Sequence, residues 1–216
     1  IQNGLWRAHG QKLLTILSEN TRMLICAEDL GTVPPCVRPC LEELGITKLL
    51  VDRWTKIVPT AREKKLGMNE SWIEPRDYDP VSVSTPSNHD MPTLRGWWLE
   101  LGETQEGRKE REEHLQRFGW SGEPAETLSA EDVQSILKRN LDGESIFAIL
   151  NIQDILDANS SWQNPDPATD RINLPGTFSD RNWSWRMKIT LEELCAARKF
   201  NEMLASWVEQ SGRMPR

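Results

Sequence analysis

The sequence has no apolar run near the ~20 residues that a bilayer-spanning helix needs and no secretory leader pattern at Ile1, so nothing in it asks for a membrane. It also lacks a basic stripe. Its 26 Lys and Arg stand against 33 Asp and Glu, a formal charge of −7 that argues against a nucleic-acid partner and fits a neutral or cationic ligand. Cysteine is scarce, four in 216 residues, which excludes a disulfide scaffold. Cys36 and Cys40 have the spacing of half a metal site, but no second Cys/His pair follows them, and they read as ordinary reduced thiols. No glycine-rich phosphate loop follows any apolar run, which counts against a dinucleotide fold, and no Gly-x-Ser-x-Gly elbow offers a hydrolase nucleophile. The default compartment is the cytoplasm, or a plastid if the source is a plant or alga.

What the sequence does have is ten tryptophans, which suit a core or a sugar cleft alike, and short apolar runs that each stop at polar residues. The first, Met23 to Ala27, closes in Glu28-Asp29-Leu30-Gly31. Such a run suits a strand covered on both faces, with its carboxylates at the C-terminal end, where α/β folds do chemistry. A helix from Leu5 to Leu17 precedes it and is expected to pack on the sheet, with His9 as a core residue. A helix ending at Gly45 carries Val37, Leu41 and Leu44 on one face, and Ile46–Trp54 then completes a βαβ unit. Thr55–Asp79 reads as a long loop with one short helix. Val81–Thr85 is a third strand, leading through Pro86-Ser87-Asn88-His89-Asp90 into a helix over Thr93–Leu101. The charge run Glu103–Glu113 reads as a solvated helix face, with His114 solvated too. Ser129 caps a helix to Asn140, a fourth apolar run at Ile146–Leu150 closes in Asn151, Gln153 and Asp154, and a last helix spans Leu191–Gln210.

Strands alternating with helices fit part of a (β/α) barrel or an open doubly wound sheet, and pattern alone does not separate the two. Two strand ends offer carboxylates, Glu28 and Asp90. A pair of this kind suits glycosyl transfer, one carboxyl donating a proton to the leaving oxygen and the other staying ionised opposite the anomeric carbon. Strand-end carboxylates also serve as helix caps and salt-bridge partners, so the residues alone leave both readings open.

Three stretches carry more. Ala27-Glu28-Asp29-Leu30-Gly31, then Ser87-Asn88-His89-Asp90-Met91-Pro92-Thr93-Leu94-Arg95-Gly96-Trp97-Trp98, then Arg171-Ile172-Asn173-Leu174-Pro175-Gly176-Thr177 with Asn182-Trp183-Ser184-Trp185-Arg186 resemble the ordered signature blocks of the 4-α-glucanotransferases. These are the amylomaltases or disproportionating enzymes, glycoside hydrolase family 77. The resemblance implies an α/β fold, specifically the C-terminal half, about strands five to eight, of a (β/α)8 TIM barrel with inserted loops, so that residues 1–216 form a partial catalytic domain without the N-terminal part of the barrel. It implies Glu28 as general acid/base and Asp90 as the carboxylate that stabilises the transition state. His89 would hydrogen-bond the same sugar, and Asn173 would line the donor or acceptor groove. It implies α-1,4-glucan and maltooligosaccharide substrates and no metal or organic cofactor. Asn88 stands where many members have Thr, a local departure beside the carboxylate.

The family's nucleophile is an Asp in an R-x-D-H block before the Ala27–Gly31 strand, and these 216 residues contain no such block. Asp52-Arg53 and Asp170-Arg171 have the wrong order. The chain starts at Ile1, in what reads as mid-domain, and is expected to be a fragment that is inactive alone. The rival readings are a non-catalytic glucan-binding module, with Trp97, Trp98, Trp183 and Trp185 as stacking platforms, and an α/β hydrolase of other specificity.

Overall fold

The computed structural model describes residues 2–28, 33–59 and 61–213. The chain divides into two compact units, Ile1–Thr85 with Gly143–Ile149, and Pro86–Asp142 with Leu150–Arg216.

The first unit is a parallel four-stranded sheet with helices and a small hairpin. Its strands β1 (Cys26–Ala27), β2 (Thr47–Val51), β5 (Ser82–Thr85) and β6 (Phe147–Ala148) stand in the order β1-β2-β5-β6. Lys48 pairs with Ser82 and Val51 with Thr85 across the central strands. All four residues of β5 are buried, which is why its Ser-Val-Ser-Thr sequence needs partners: the Ser82 and Ser145 hydroxyls lie 2.7 Å apart. Helix α2 (Val37–Glu43) packs Cys40 and Leu41 inward and ends before Gly45, whose φ of 64° is left-handed backbone that glycine takes without strain. Lys48 is buried by β2 but donates to Glu42 (3.0 Å) and Asp79 (2.9 Å). Burial works against its charge, yet these two carboxylates outweigh it and hold its pKa above the usual value.

Four expectations change here. Among the described residues the strand expected at Met23–Ala27 is realised in only two, Cys26 and Ala27, and Met23 is 78% exposed rather than covered on both faces. Among the described residues β1 is an edge strand with a neighbour on one side, and edge strands are commonly short. Asp29, Leu30, Gly31 and the Thr32 turn lie outside the described residues. Helix α1 (Gln2–Glu19) forms where periodicity places it, but among the described residues it buries no side chain; His9 is exposed, and an Arg7–Glu43 ion pair ties the helix to α2. The fourth run is also an edge, with Ile146 and Ile149 exposed around β6. The Thr55–Asp79 loop holds the expected short helix, α3 (Ala61–Lys65), and in addition an antiparallel pair, β3 (Lys56–Ile57) with β4 (Ser71–Trp72), where the Lys56 ammonium sits 3.7 Å over the Trp72 ring.

The second unit is helical. Helix α4 (Leu94–Glu103) is capped by Thr93 and buries Leu94, Trp97 and Trp98, and α5 (Gln105–Phe118) returns against it. Gly107 permits the close turn between them, since a Cβ there would lie 2.2 Å from the Leu101 carbonyl oxygen. Within the charge run, Gly107, Arg111, His114 and Leu115 fall at helical spacing and all are buried. His114 is therefore not a solvated residue. It is 0% exposed, its ring 4.8 Å from Trp97 and 5.3 Å from Phe118. Helix α6 (Ala130–Leu141) opens in a Ser129/Asp132 capping box and supplies Val133, Ile136 and Leu137 to the core. Helix α7 (Ile152–Asp157) follows β6. The expected last helix is two, α8 (Leu191–Ala196) and α9 (Arg198–Gln210), parted at Ala197, whose ψ of 59° leaves the helical range. Among the described residues no helix is long and apolar enough to cross a membrane.

Candidate active site

The segment 86–93 leads into α4 and is clamped at both ends by one carboxylate. Asp154, 0% exposed on α7, accepts from the Ser87 hydroxyl (2.8 Å) and from the Leu94 amide (2.7 Å), and Asn151 donates to the same Ser87 oxygen (2.7 Å). Inside the clamp, Asn88 accepts the Asp90 amide (3.0 Å), a local turn that short amide side chains favour. The Asn88 side chain thus has a definite task, holding the turn that carries Asp90. His89 and Asp90 ride on the fixed turn with side chains slightly under half exposed, and His89 Nε2 lies 3.4 Å from Asp90 Oδ2.

The third signature block closes on Asp90 from more than eighty residues away. Asn173 Nδ2 donates to Asp90 Oδ1 (2.6 Å). Arg171 donates through Nη2 to the Asp90 carbonyl (3.1 Å), through Nη1 to Glu100 on α4 (3.1 Å) and through Nε to the Asn173 carbonyl (2.9 Å), so one guanidinium fixes the backbone of both partners. Asn182 then ties the loop to itself, donating to Thr177 and accepting the Leu174 amide (3.3 Å). Trp183 stands beside His89, ring centroids 5.0 Å apart. Asn173 also lines an open cavity of about 800 Å³ with Arg171, Arg181, Trp185 and Lys188.

The second unit thus brings together His89, Asp90 and Asn173. Glu28 lies just past β1 in the first unit, exposed, with its C-terminal neighbours outside the described residues. Sequence reasoning missed Arg171 and Asp154. Arg171 opens the third family-like stretch, and Asp154 closes the fourth apolar run, but neither position carries a local signal for the partners it holds. Of the four tryptophans considered as platforms, Trp97 and Trp98 are core, Trp185 is half-buried and donates to Asp170 (3.0 Å), and Trp183 is exposed. The four cysteines are free thiols, and among the described residues no three His, Cys, Asp or Glu side chains are placed to hold a metal ion.

A sequence profile described as 4-α-glucanotransferase, glycoside hydrolase family 77, matches residues 1–191. The chain belongs to this 4-α-glucanotransferase family. Curated relatives include a 4-α-glucanotransferase of Chlamydia muridarum, 35% identical over 91% of this chain and 34% of its own length. Another is 4-α-glucanotransferase DPE2 of Oryza sativa subsp. japonica, 32% identical over 98% of this chain and 21% of its own. The chain therefore spans between a fifth and a third of these 4-α-glucanotransferases. Among solved structures, the amylomaltase of Streptococcus agalactiae in complex with acarbose superposes with a TM-score of 0.60 at 21% identity, over 92% of this chain and 34% of that one. The fold is thus an α/β fold with a parallel sheet and helices, similar to amylomaltase.

Proposed function

We propose that this chain supplies the acid/base and charge-stabilising side of a 4-α-glucanotransferase that moves α-1,4-glucan segments between maltodextrins, and that it forms about strands five to eight of a (β/α)8 barrel. The observation that carries this is the convergence on Asp90: its own carboxylate is held by Asn173, its carbonyl by Arg171 and its flank by His89, all from blocks that resemble the family's. A carboxylate held by neutral donors stays available to face positive charge at an anomeric carbon. Asn173 orients Asp90 and lines an open cavity, which in this reading belongs to the donor or acceptor groove. Glu28 protonates the leaving glucan and then deprotonates the 4-hydroxyl of the incoming sugar. The attacking Asp, which retaining chemistry needs about 5 Å from the acid/base, belongs to polypeptide outside these residues, so the chain alone gives no turnover. The reaction needs no cofactor, and its compartment is the cytoplasm, or a plastid in a plant or alga.

The test uses a full-length version of the enzyme and maltotriose. Glu28→Gln keeps the shape and removes the titrating proton, and near-normal transfer would reject its role. Asp90→Asn is expected to raise the barrier by about 3 kcal/mol, roughly a hundredfold in kcat, because charge opposite an oxocarbenium is a large electrostatic term. A change confined to folding stability would reject it.

A further inference from the structure

Among the described residues, Trp183 is the one non-glycine residue in the left-handed region, with φ of 62°. That conformation is sterically costly for a bulky side chain and free for glycine, so a tryptophan there asks for a reason. Packing is not the reason, since the side chain is 63% exposed and contributes little buried area. The surrounding structure nevertheless fixes the conformation. The Trp183 amide donates to the Ile172 carbonyl (2.8 Å), and the preceding Asn182 is bound to Thr177 and Leu174. Ile172 lies between Arg171 and Asn173, the two residues that hold Asp90. The turn that strains Trp183 is therefore built on the same short block that places the candidate carboxylate. Its indole stands against His89 with the rings tilted by 39°.

An exposed aromatic plane on a fixed backbone, beside His89, which itself lies 3.4 Å from the Asp90 carboxylate, suits a neutral ligand with an apolar face, and a glucose ring presents one in its C–H groups while its hydroxyls turn to polar neighbours such as His89 and Asp90. We propose that Trp183 is a stacking platform for one glucose unit of the α-1,4-glucan, held in a left-handed turn so that the sugar is placed beside Asp90. The inference rests on the function proposed above.

The experiment compares Trp183→Gly, Trp183→Phe and Asp90→Asn in the full-length enzyme, reading kcat and KM with maltotriose, maltoheptaose binding by calorimetry, and thermal unfolding. Glycine accepts the backbone conformation, so Trp183→Gly is expected to unfold at the wild-type temperature or above it. It should raise KM and weaken maltoheptaose binding about tenfold, the scale of one aromatic contact, with kcat nearly unchanged. Trp183→Phe keeps a ring and should recover most of the affinity. A fall in kcat with KM and binding unchanged would make Trp183 only a support for His89 and overturn the platform, as would loss of folding in Trp183→Gly. If Asp90→Asn abolishes transfer while Trp183→Gly binds normally, only the platform fails. Normal transfer by Asp90→Asn overturns the functional reading, and calorimetry then judges the platform by itself.

Discussion

In the first unit Leu5, Trp6, Leu13, Leu17, Met23, Leu24, Ile146 and Ile149 stand exposed, whereas in the second Leu94, Trp97, Trp98, Val133, Ile136, Leu137 and Trp207 are buried. The first unit is a parallel sheet whose edges are β1 and β6, two short strands flanked by bare apolar residues. Parallel sheets are normally covered, because each apolar side chain left in water forgoes about 1.5–3 kcal/mol of burial. The second unit packs its helices around a buried core, although Leu174, Phe178, Trp183 and Leu191 stay exposed on it, and Asp90 sits in a clamp closed by the fully buried Asp154. Glu28 sits past an edge strand. The candidate cluster around Asp90 is thus held firmly in one unit, while the other leaves apolar surface bare.

The contrast is sharpened most by truncating the best-packed side chain of the second unit. Trp98 is 1% exposed and donates its indole N–H to the Ala125 carbonyl (2.8 Å), while Arg111 is anchored on the Trp98 carbonyl. Trp98→Ala should cost about 5 kcal/mol, through a large cavity and the loss of one of the two donors to the Ala125 carbonyl, and the urea midpoint of this chain should fall accordingly. A loss below about 1 kcal/mol would mean that the unit is not packed as described.

A smaller effect breaks the contrast from the other side, because the second unit carries a cost of its own. Asp157 is buried, and burial pushes its carboxyl up to about 7; Arg95 pulls it down, and Asp154 and Asp170 push it further up. In the unfolded chain it titrates near 3.9. Between about pH 4 and 7 the folded state therefore holds a proton that the unfolded state has lost. This group's contribution to stability falls as pH rises through that window and is level outside it. The total is about 4 kcal/mol. Urea unfolding at pH 5 and pH 8 should show wild type losing about 3 kcal/mol of it, the part that remains at pH 5, with Asp157→Asn losing much less. Equal pH dependence in the two would sink this account.

How far the sequence carried these features depended on how local their causes are. Helix α6 was readable because Ser129 and Asp132 cap within three residues, and β2 and β5 because central strands, with a neighbour on each side, retain four or five residues of the expected runs. β1 and β6 shrank because edge position is a property of the whole sheet. The β3–β4 pair joins two-residue strands, too short for any period to register. His114 was hidden by its charged neighbours, although the 107, 111, 114, 115 spacing held the signal. At the site, the family-like blocks pointed to His89, Asp90 and Asn173, but the hydrogen bond joining Asn173 to Asp90 spans 83 positions and no local pattern encodes it. Arg171 was invisible for the same reason, its three partners lying on two separate stretches of chain.

The smallest expected effect is the most informative about the open surface. Leu17 on α1 is half exposed, and α1 buries no side chain among the described residues. Leu17→Ala in this chain should therefore change stability by no more than about 0.5 kcal/mol. If the sheet is part of a barrel completed by further polypeptide, the same leucine gains neighbours in the full-length enzyme, and the substitution there should cost about 2–5 kcal/mol, as core leucines do. Urea unfolding of the two proteins, each with and without the substitution, reads the difference directly. Equal small effects in both would leave α1 a surface helix in the complete enzyme and remove the support that these exposed residues give to a half-barrel.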